Sequence, residues 1–182
     1  GVTLMRMSTK MDAGAILFQA IVDIEENETM CSLHDKLMLC GSELLKVHFD
    51  DLFKPDLIEI TQNEAEVSYA PNISADQEFV SFNRNSSTIV SHINGLSPWP
   101  TAYGIVDTKK IKLYSAYSID YTGDELPGQI IGIIQKALAI RTADGAVCIP
   151  ELQLEGKKRC DAVSLWAGNA QQLIYQIFKE TQ

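Results

Sequence analysis

Asp12, in the stretch KMDAGAILF (residues 10–18), is the carboxylate whose setting most invites chemistry. It lies between two apolar runs, with Met11 before it and Ala13 and Gly14 after it. Asp and Gly this close together are ordinary turn chemistry. A carboxylate held on a turn can also fix the tautomer of a neighbouring imidazole and stabilise it when it gains a proton. The residues alone leave both readings open. A second cluster, EGKKRC (155–160), sets Lys157, Lys158 and Arg159 in a row after a glycine, and Lys109, Lys110 and Lys112 form another basic group. Such runs are either solvated charge or contacts to a phosphate backbone. The histidines at 34, 48 and 92 all fall in helical patterns. His34 is expected to face outward and His92 to be packed rather than catalytic. Cys31, Cys40, Cys148 and Cys160 form no CxxC pair and are not grouped with the histidines. No zinc site is expected, and a reduced, cytosolic setting is the simplest reading.

The chain has 182 residues, enough for one domain or two small ones. It contains no apolar run long enough to span a bilayer and no basic-then-apolar leader. It opens at Gly1 directly in a strand-like run, which is expected of a piece of a longer protein. The formal net charge of −9 argues at first against a nucleic-acid partner. Its distribution reverses that: residues 1–83 hold five Lys/Arg against fifteen Asp/Glu, and residues 84–182 hold ten against nine. The second part is free to carry a basic patch.

The elements that must position these residues follow from periodicity. GVTLMRM (1–7) and AILFQAIVDI (15–24) read as two strands joined by the Asp12–Gly14 turn. SLHDKLMLCGSELLKVHFDDLF (32–53) has helical spacing, a Ser32/Asp35 pair resembling a capping box, and Pro55 to end it. Gly41 inside it costs about 1 kcal/mol relative to Ala, which suggests a close packing contact. Residues 54–78 carry little periodicity and read as a linker. Residues 86–96 predict a short helix capped by Ser86 or Ser87. From Ala102 onward, AYGIVD, KIKLYSAYSI, GQIIGII, ALAIRT and AVCIPELQL read as short strands of a small barrel or sandwich. Asp161 is expected to cap a short helix over 161–168, and the amphipathic tail 170–182 predicts a last helix. Trp99, in SPWP (97–100), is expected to plug the junction between helix and barrel. Stacking on a base is the alternative. A hairpin and one helix make a poor core, so the first part expects a sheet that this chain does not contain.

Four blocks carry a resemblance, in order. GVTLMRMSTKMDAGAILFQ with SLHDKL resembles the last strands and last helix of a folate-dependent formyltransferase domain. YAPNIS, INGLSPWPTAY and LEGKKRCDAVSLWAG resemble the linker and C-terminal domain of the bacterial methionyl-tRNA formyltransferase family. The resemblance implies an α+β fragment: the last hairpin and helix of a Rossmann-like domain (1–54), a linker (55–78) and an OB-like β-barrel domain (79–182). It implies formyl transfer from 10-formyltetrahydrofolate to the methionine amino group of initiator methionyl-tRNA, in the cytoplasm, with no metal and no membrane partner. By its place in MDAG, where the family has Leu-Asp-Thr-Gly, Asp12 matches the family's catalytic Asp. Met11, Asp12 and Gly14 are implied to face the folate, and Lys157, Lys158 and Arg159 the tRNA.

The family's Asn-x-His motif does not occur in this sequence, so two of its three catalytic residues are missing. Where the family writes IRGLSPWP, this chain has Asn94 and loses a positive charge. An amino-sugar-nucleotide formyltransferase shares the Asp-Gly loop, but GKKR and SYAPNIS favour the tRNA enzyme. A non-catalytic OB-type nucleic-acid-binding module is the reading from another class. The exposed N-terminal strands are expected to self-associate.

Overall fold

A computed structural model describes residues 1–168, 173–174 and 176–180. The chain is a mixed α/β protein of two compact units. The first is Gly1–Glu25 with Ser32–Asn72; the second is Glu26–Cys31 with Ile73–Gln182.

In the first unit, β1 (Val2–Met5) and β2 (Ile16–Ala20) pair antiparallel, Val2 opposite Ala20 and Leu4 opposite Phe18, with an irregularity after Leu4. The helix α1 runs Met30–His48 and is followed by a 3-10 turn over Asp50–Phe53. Because α1 begins at Met30, Ser32 lies inside its first turn and is not the N-cap that the Ser32/Asp35 pair suggested. Gly41 does face a strand: a Cβ there would sit 3.4 Å from Val2 Cγ1, an ordinary contact. The β2 face is fixed by His48, whose ring stacks on Phe18 at 3.9 Å and bonds Asp51 through Nδ1 at 3.0 Å. The unit buries little. Leu44 is its one buried large apolar side chain, whereas Met38, Leu39, Val47, Phe49 and Phe53 stay exposed. The segment read as linker returns to the hairpin: Ile60 and Ile16 exchange backbone hydrogen bonds of 2.8 and 2.9 Å.

The second unit holds the core. Among the described residues its strands are β3 (Ala102–Val106), β4 (Lys109–Leu113), β5 (Tyr117–Ile119), β6 (Ile130–Ile134), β7 (Ala137–Arg141), β8 (Ala146–Ile149), β9 (Glu151–Leu154) and β10 (Cys160–Asp161). They form two antiparallel sheets, β10-β9-β4-β3 and β5-β8-β7-β6. Pairing divides into these two sheets, and among the described residues no single ladder closes into a barrel. Two runs that read as single strands each break and change sheet: β4 to β5 across 114–116, and β8 to β9 at Pro150. Proline cannot donate to a ladder, which explains the second break. The side chains facing between the sheets, Ile111, Leu113, Ile130, Leu138, Ile140, Val147, Ile149 and Leu152, are all buried.

Helix α2 (Ser86–Gly95) lays Ile89, Val90 and Ile93 on this core. Its N-cap position is Asn85, not Ser86 or Ser87, and the capping acceptor comes from far along the chain. Asp144 Oδ1, in the β7–β8 turn, accepts from the Ser86 N–H at 2.8 Å and the Ser86 hydroxyl at 2.9 Å. These bonds hold the Asp144 carboxyl below the usual carboxylate range. Asp161 caps α3 (Ala162–Ala167) as its sequence suggested, accepting from the Ser164 N–H at 2.8 Å.

The tail departs from the expected helix. Part of 170–182 lies outside the described residues, and the described stretch 176–179 pairs as extended chain. Ile130 N–H donates to Gln176 O, Phe178 N–H to Gly128 O, and Lys179 N–H to Ile105 O. The tail thus joins the β6 side of one sheet to the β3 side of the other. Phe178 is fully buried against Phe82, and a Cβ on Gly104 would come within 2.4 Å of its ring.

Candidate functional site

The loop between β1 and β2 carries Asp12, and long-range bonds set its shape. Arg6 N–H donates to Ala15 O across its base at 2.9 Å, and the Ser8 hydroxyl donates to Lys10 O at 2.6 Å. Asp12 adopts a left-handed conformation, φ 54°, which Asp tolerates better than most side chains. Gly14 is required for a different reason. It is buried, and a Cβ there would lie 1.7 Å from Arg6 O. The loop is then tied to the 59–64 segment. The Gln62 amide donates to Asp12 O at 2.9 Å and to Gly14 O at 2.7 Å. Arg6 pairs with Glu59 at 2.7 Å and Lys10 with Glu64 at 3.3 Å.

This leaves the Asp12 side chain exposed. Among the described residues its carboxylate has no hydrogen-bond or ion partner. A groove of about 430 Å³ lies along the loop, lined by residues that include Arg6, Met7, Met11, Asp12 and Gly14. Met7 and Met11 project almost wholly into solvent. No histidine or asparagine lines the groove. Asp12 is therefore anchored by backbone, with its carboxylate left open to solvent. Gln62, Glu59 and Glu64, which do the anchoring, gave no local signal, since isolated polar residues without periodicity look like loop.

The histidines serve elsewhere. His34 is exposed beside Asp35. His48 belongs to the stack described above. His92 is half-buried, with Nε2 2.7 Å from Gln77 O and Nδ1 3.4 Å from Arg84, and burial pushes its pKa down. Among the described residues no group of three or more His, Cys, Asp or Glu is arranged to hold a metal. Nor is any described helix long and apolar enough to cross a membrane.

The basic groups lie on the second unit. Lys157 and Lys158 sit exposed in the turn between β9 and β10, with Gly156 at φ 70°. The turn is closed by Lys157 N–H to Leu154 O and by Gln153 Nε2 to Lys157 O. Arg159 differs from its neighbours. Its guanidinium is paired with Glu151 and lies 4.1 Å over the Tyr114 ring. Lys110 sits 3.4 Å over the Tyr103 ring.

Two further residues depart from their sequence reading. Trp99 does not plug a junction; it is 76% exposed. Its loop is nonetheless fixed. Ser97 donates its hydroxyl to Tyr114 O, and Thr101 donates to Pro98 O and Leu96 O. Asn94, where the family pattern has arginine, is buried at 1% exposure. Its amide donates to Asn27 O and Ala116 O and accepts from the Ala116 N–H, so it braces the corner between β4 and β5.

A second unit of two sheets clasped by its own tail, following a hairpin with a tethered Asp-Ala-Gly loop, defines a class. The chain belongs to the formyl transferase family, whose C-terminal domain matches residues 72–170. Among curated relatives, the methionyl-tRNA formyltransferase of Macrococcus caseolyticus is 40% identical over 99% of this chain and 57% of its own length. That of Staphylococcus aureus strain Newman is 35% identical over 96% of this chain and 56% of its own length. The chain thus spans a little over half the length of these relatives. Among solved structures, a variant of HypX from Aquifex aeolicus superposes with a TM-score of 0.70 at 18% identity, over 90% of this chain and 30% of that one. HypX in complex with tetrahydrofolic acid gives 0.66 at 20% identity, over 90% and 29%. At these identities the likeness is one of fold.

Proposed function

We propose that this chain is the distal part of a methionyl-tRNA formyltransferase, acting in the cytoplasm on initiator methionyl-tRNA. The observation that carries this reading is the 35–40% identity to enzymes of that name along almost the whole chain. In the reaction the methionine amine attacks the formyl carbonyl of 10-formyltetrahydrofolate. A C–N bond forms, the amine loses a proton, and tetrahydrofolate leaves with its nitrogen protonated. Asp12 is the group of this chain assigned to catalysis. It holds and charge-compensates an imidazole supplied, with an Asn, by residues upstream of Gly1 in the whole enzyme. Its backbone tether favours that role, because a positioned carboxylate must not wander. Met11 and Gly14 flank it, and the groove of thioethers and backbone beside the loop suits one face of a flat heterocycle such as the pterin of the folate.

In this reading the first unit is the end of a Rossmann-like domain, bounded near residue 54, and the remainder from about residue 79 is OB-like. The sheet changes at 114–116 and Pro150 and the clasping tail favour the OB-like description. Lys157, Lys158 and Arg159 contact tRNA phosphate. The apolar side chains left exposed on α1 await the rest of the domain, and in its absence they favour self-association through the hairpin. The experiment is formylation of methionyl-tRNA by the full-length enzyme carrying Asp12→Asn. The expected outcome is a rate lower by at least about 100-fold, the lower scale of a positioned acid–base group. A near-normal rate reduces Asp12 to a turn residue.

A further inference from the structure

The outward row of β4 supplies something the proposed function leaves unused. Ile111 and Leu113 point into the core at 1% and 0% exposure, so Lys110 and Lys112 point the other way. Lys112 stands opposite Tyr103 on β3 and Gln153 on β9. The row continues at Tyr114, whose hydroxyl donates to Gln153 Oε1 at 2.7 Å, placing it on the same face. Tyr114 carries the Arg159 guanidinium on its ring, as Tyr103 carries the Lys110 ammonium. Arg159 reaches the next position from the β9–β10 turn, over Tyr114, and Lys110 and Lys112 follow β4 with backbone positions about 7 Å apart, two residues per step. That step is commensurate with the spacing of successive phosphates along one nucleic-acid strand. A cavity of about 190 Å³, lined by Lys110, Lys112, Gln153 and Gly156 among others, opens on the same face. Beyond Tyr114 the row meets the fixed loop of Trp99, through the Ser97 hydroxyl on Tyr114 O.

We propose that this row is a phosphate track for one RNA strand and that it ends at Trp99, which stacks on an unpaired base. The inference rests on the tRNA reading above and moves its centre from the 157–159 turn to β4. Aromatic rings fix the two outer cations, so little side-chain freedom is lost on binding. Trp99 has an open face on a braced loop, which is what base stacking requires. Two carboxylates oppose the track. Glu151 pairs with Arg159, and Glu155 accepts from the Lys110 N–H at 3.2 Å. Glu151 thereby acts as a local competitor for the phosphate.

The test is a salt titration of binding by the 182-residue chain, with each variant's melting curve recorded to confirm its fold. The probes are an initiator tRNA transcript and the same transcript trimmed of its unpaired 3′ nucleotides. The double variant Lys110→Gln, Lys112→Gln should flatten the slope of log K against log salt by about 1.4 to 1.8. Glu151→Gln frees Arg159 and should steepen it by about 0.7 to 0.9. Trp99→Ala should weaken the intact tRNA by about 5- to 150-fold and the trimmed one far less. An unchanged slope in the double variant, or equal losses on both RNAs in Trp99→Ala, overturns the track. So does polyglutamate that displaces tRNA from the wild type as well as unlabelled tRNA does. If these fail while the full-length enzyme formylates tRNA, the track falls and the formyltransferase reading stands. If the variants behave as expected while no formylation occurs, the reverse holds.

Discussion

Gln62 makes a sharp test of how the Asp12 loop is held. Its amide donates two hydrogen bonds, to Asp12 O and Gly14 O, from a segment some fifty residues away in sequence. Gln62→Leu keeps the side chain's bulk and removes both. At about 0.5–1.5 kcal/mol per bond, the loop should lose about 1–3 kcal/mol of local stability. Both bonds lie at least partly exposed, so the lower half of that range is expected. The fold should survive, because Ile16 and Ile60 still exchange their backbone bonds and Gly14 still fits under Arg6 O. Amide exchange reads the effect directly. The Arg6 N–H, which closes the loop by donating to Ala15 O, should exchange about 5- to 30-fold faster, with β1 and β2 little changed. Under the proposed function, the same variant in the whole enzyme should lower kcat/KM by up to the same factor, because the Asp12 carboxylate would be positioned through this backbone. Unchanged exchange at Arg6 would refute the view that Gln62 shapes the loop, whatever happens to activity.

Phe178→Ala should destabilise the second unit by about 3–5 kcal/mol in urea unfolding, since a fully buried ring would be replaced by a cavity beside Gly104. Gly41→Ala should stabilise the first unit by about 0.5–1 kcal/mol, because its Cβ meets Val2 at an ordinary distance; a melting point that falls would contradict this. Acid should act in two stages, readable from unfolding free energies against pH. The pKa of His92 is depressed by burial, so the unfolded chain binds the proton more readily, and stability falls as pH drops through about 6.5. Asp144 and Asp161 are also depressed, so their contribution is present above about pH 3.9 and is lost below it. His92→Leu should abolish the first stage and Asp144→Asn should reduce the second.

What the sequence disclosed and what it hid follow one physical division. Local signals were legible. The Asp12–Gly14 turn, the helical spacing of α1 and α2 and the Asp161 cap all lie within a few residues of the groups they serve. Long-range partners were not. Asp144 caps a helix 58 positions away, and no local pattern could name it. Gln62 looked like linker because its partners are carbonyls on another element. The continuous apolar runs at 110–119 and 146–154 concealed corners, because a strand that changes sheet stays apolar on both sides of the bend. Phe178 sits in a tail whose amphipathicity suits a helix, yet a slot over Gly104 takes its ring. Trp99 read as core because large aromatic side chains are buried on average, and only the bonds of its loop explain how it stays out. At the candidate sites, residue types were visible and pairings were not: Arg159 was one of three cations until Glu151 and Tyr114 appeared beside it.

The clasp made by residues 176–179 also orders events during synthesis. Phe178 pairs with Val106, so β3 is made 72 residues before the segment that completes its edge. Val80 already covers the Tyr103 part of that edge, but at about 5–20 residues per second a nascent chain waits on the order of ten seconds with its Ile105–Val106 part unpaired and the slot over Gly104 unfilled. The β6 edge, which the same segment covers, waits with it. During that interval the two sheets present free hydrogen-bonding edges and an apolar seam to the ribosome's surroundings. A codon change that slows translation between residues 106 and 178 lengthens this exposure without altering one atom of the finished protein. The expected outcome is a lower yield of folded protein when that stretch is translated slowly, read by expressing synonymous variants side by side; an unchanged yield would contradict it.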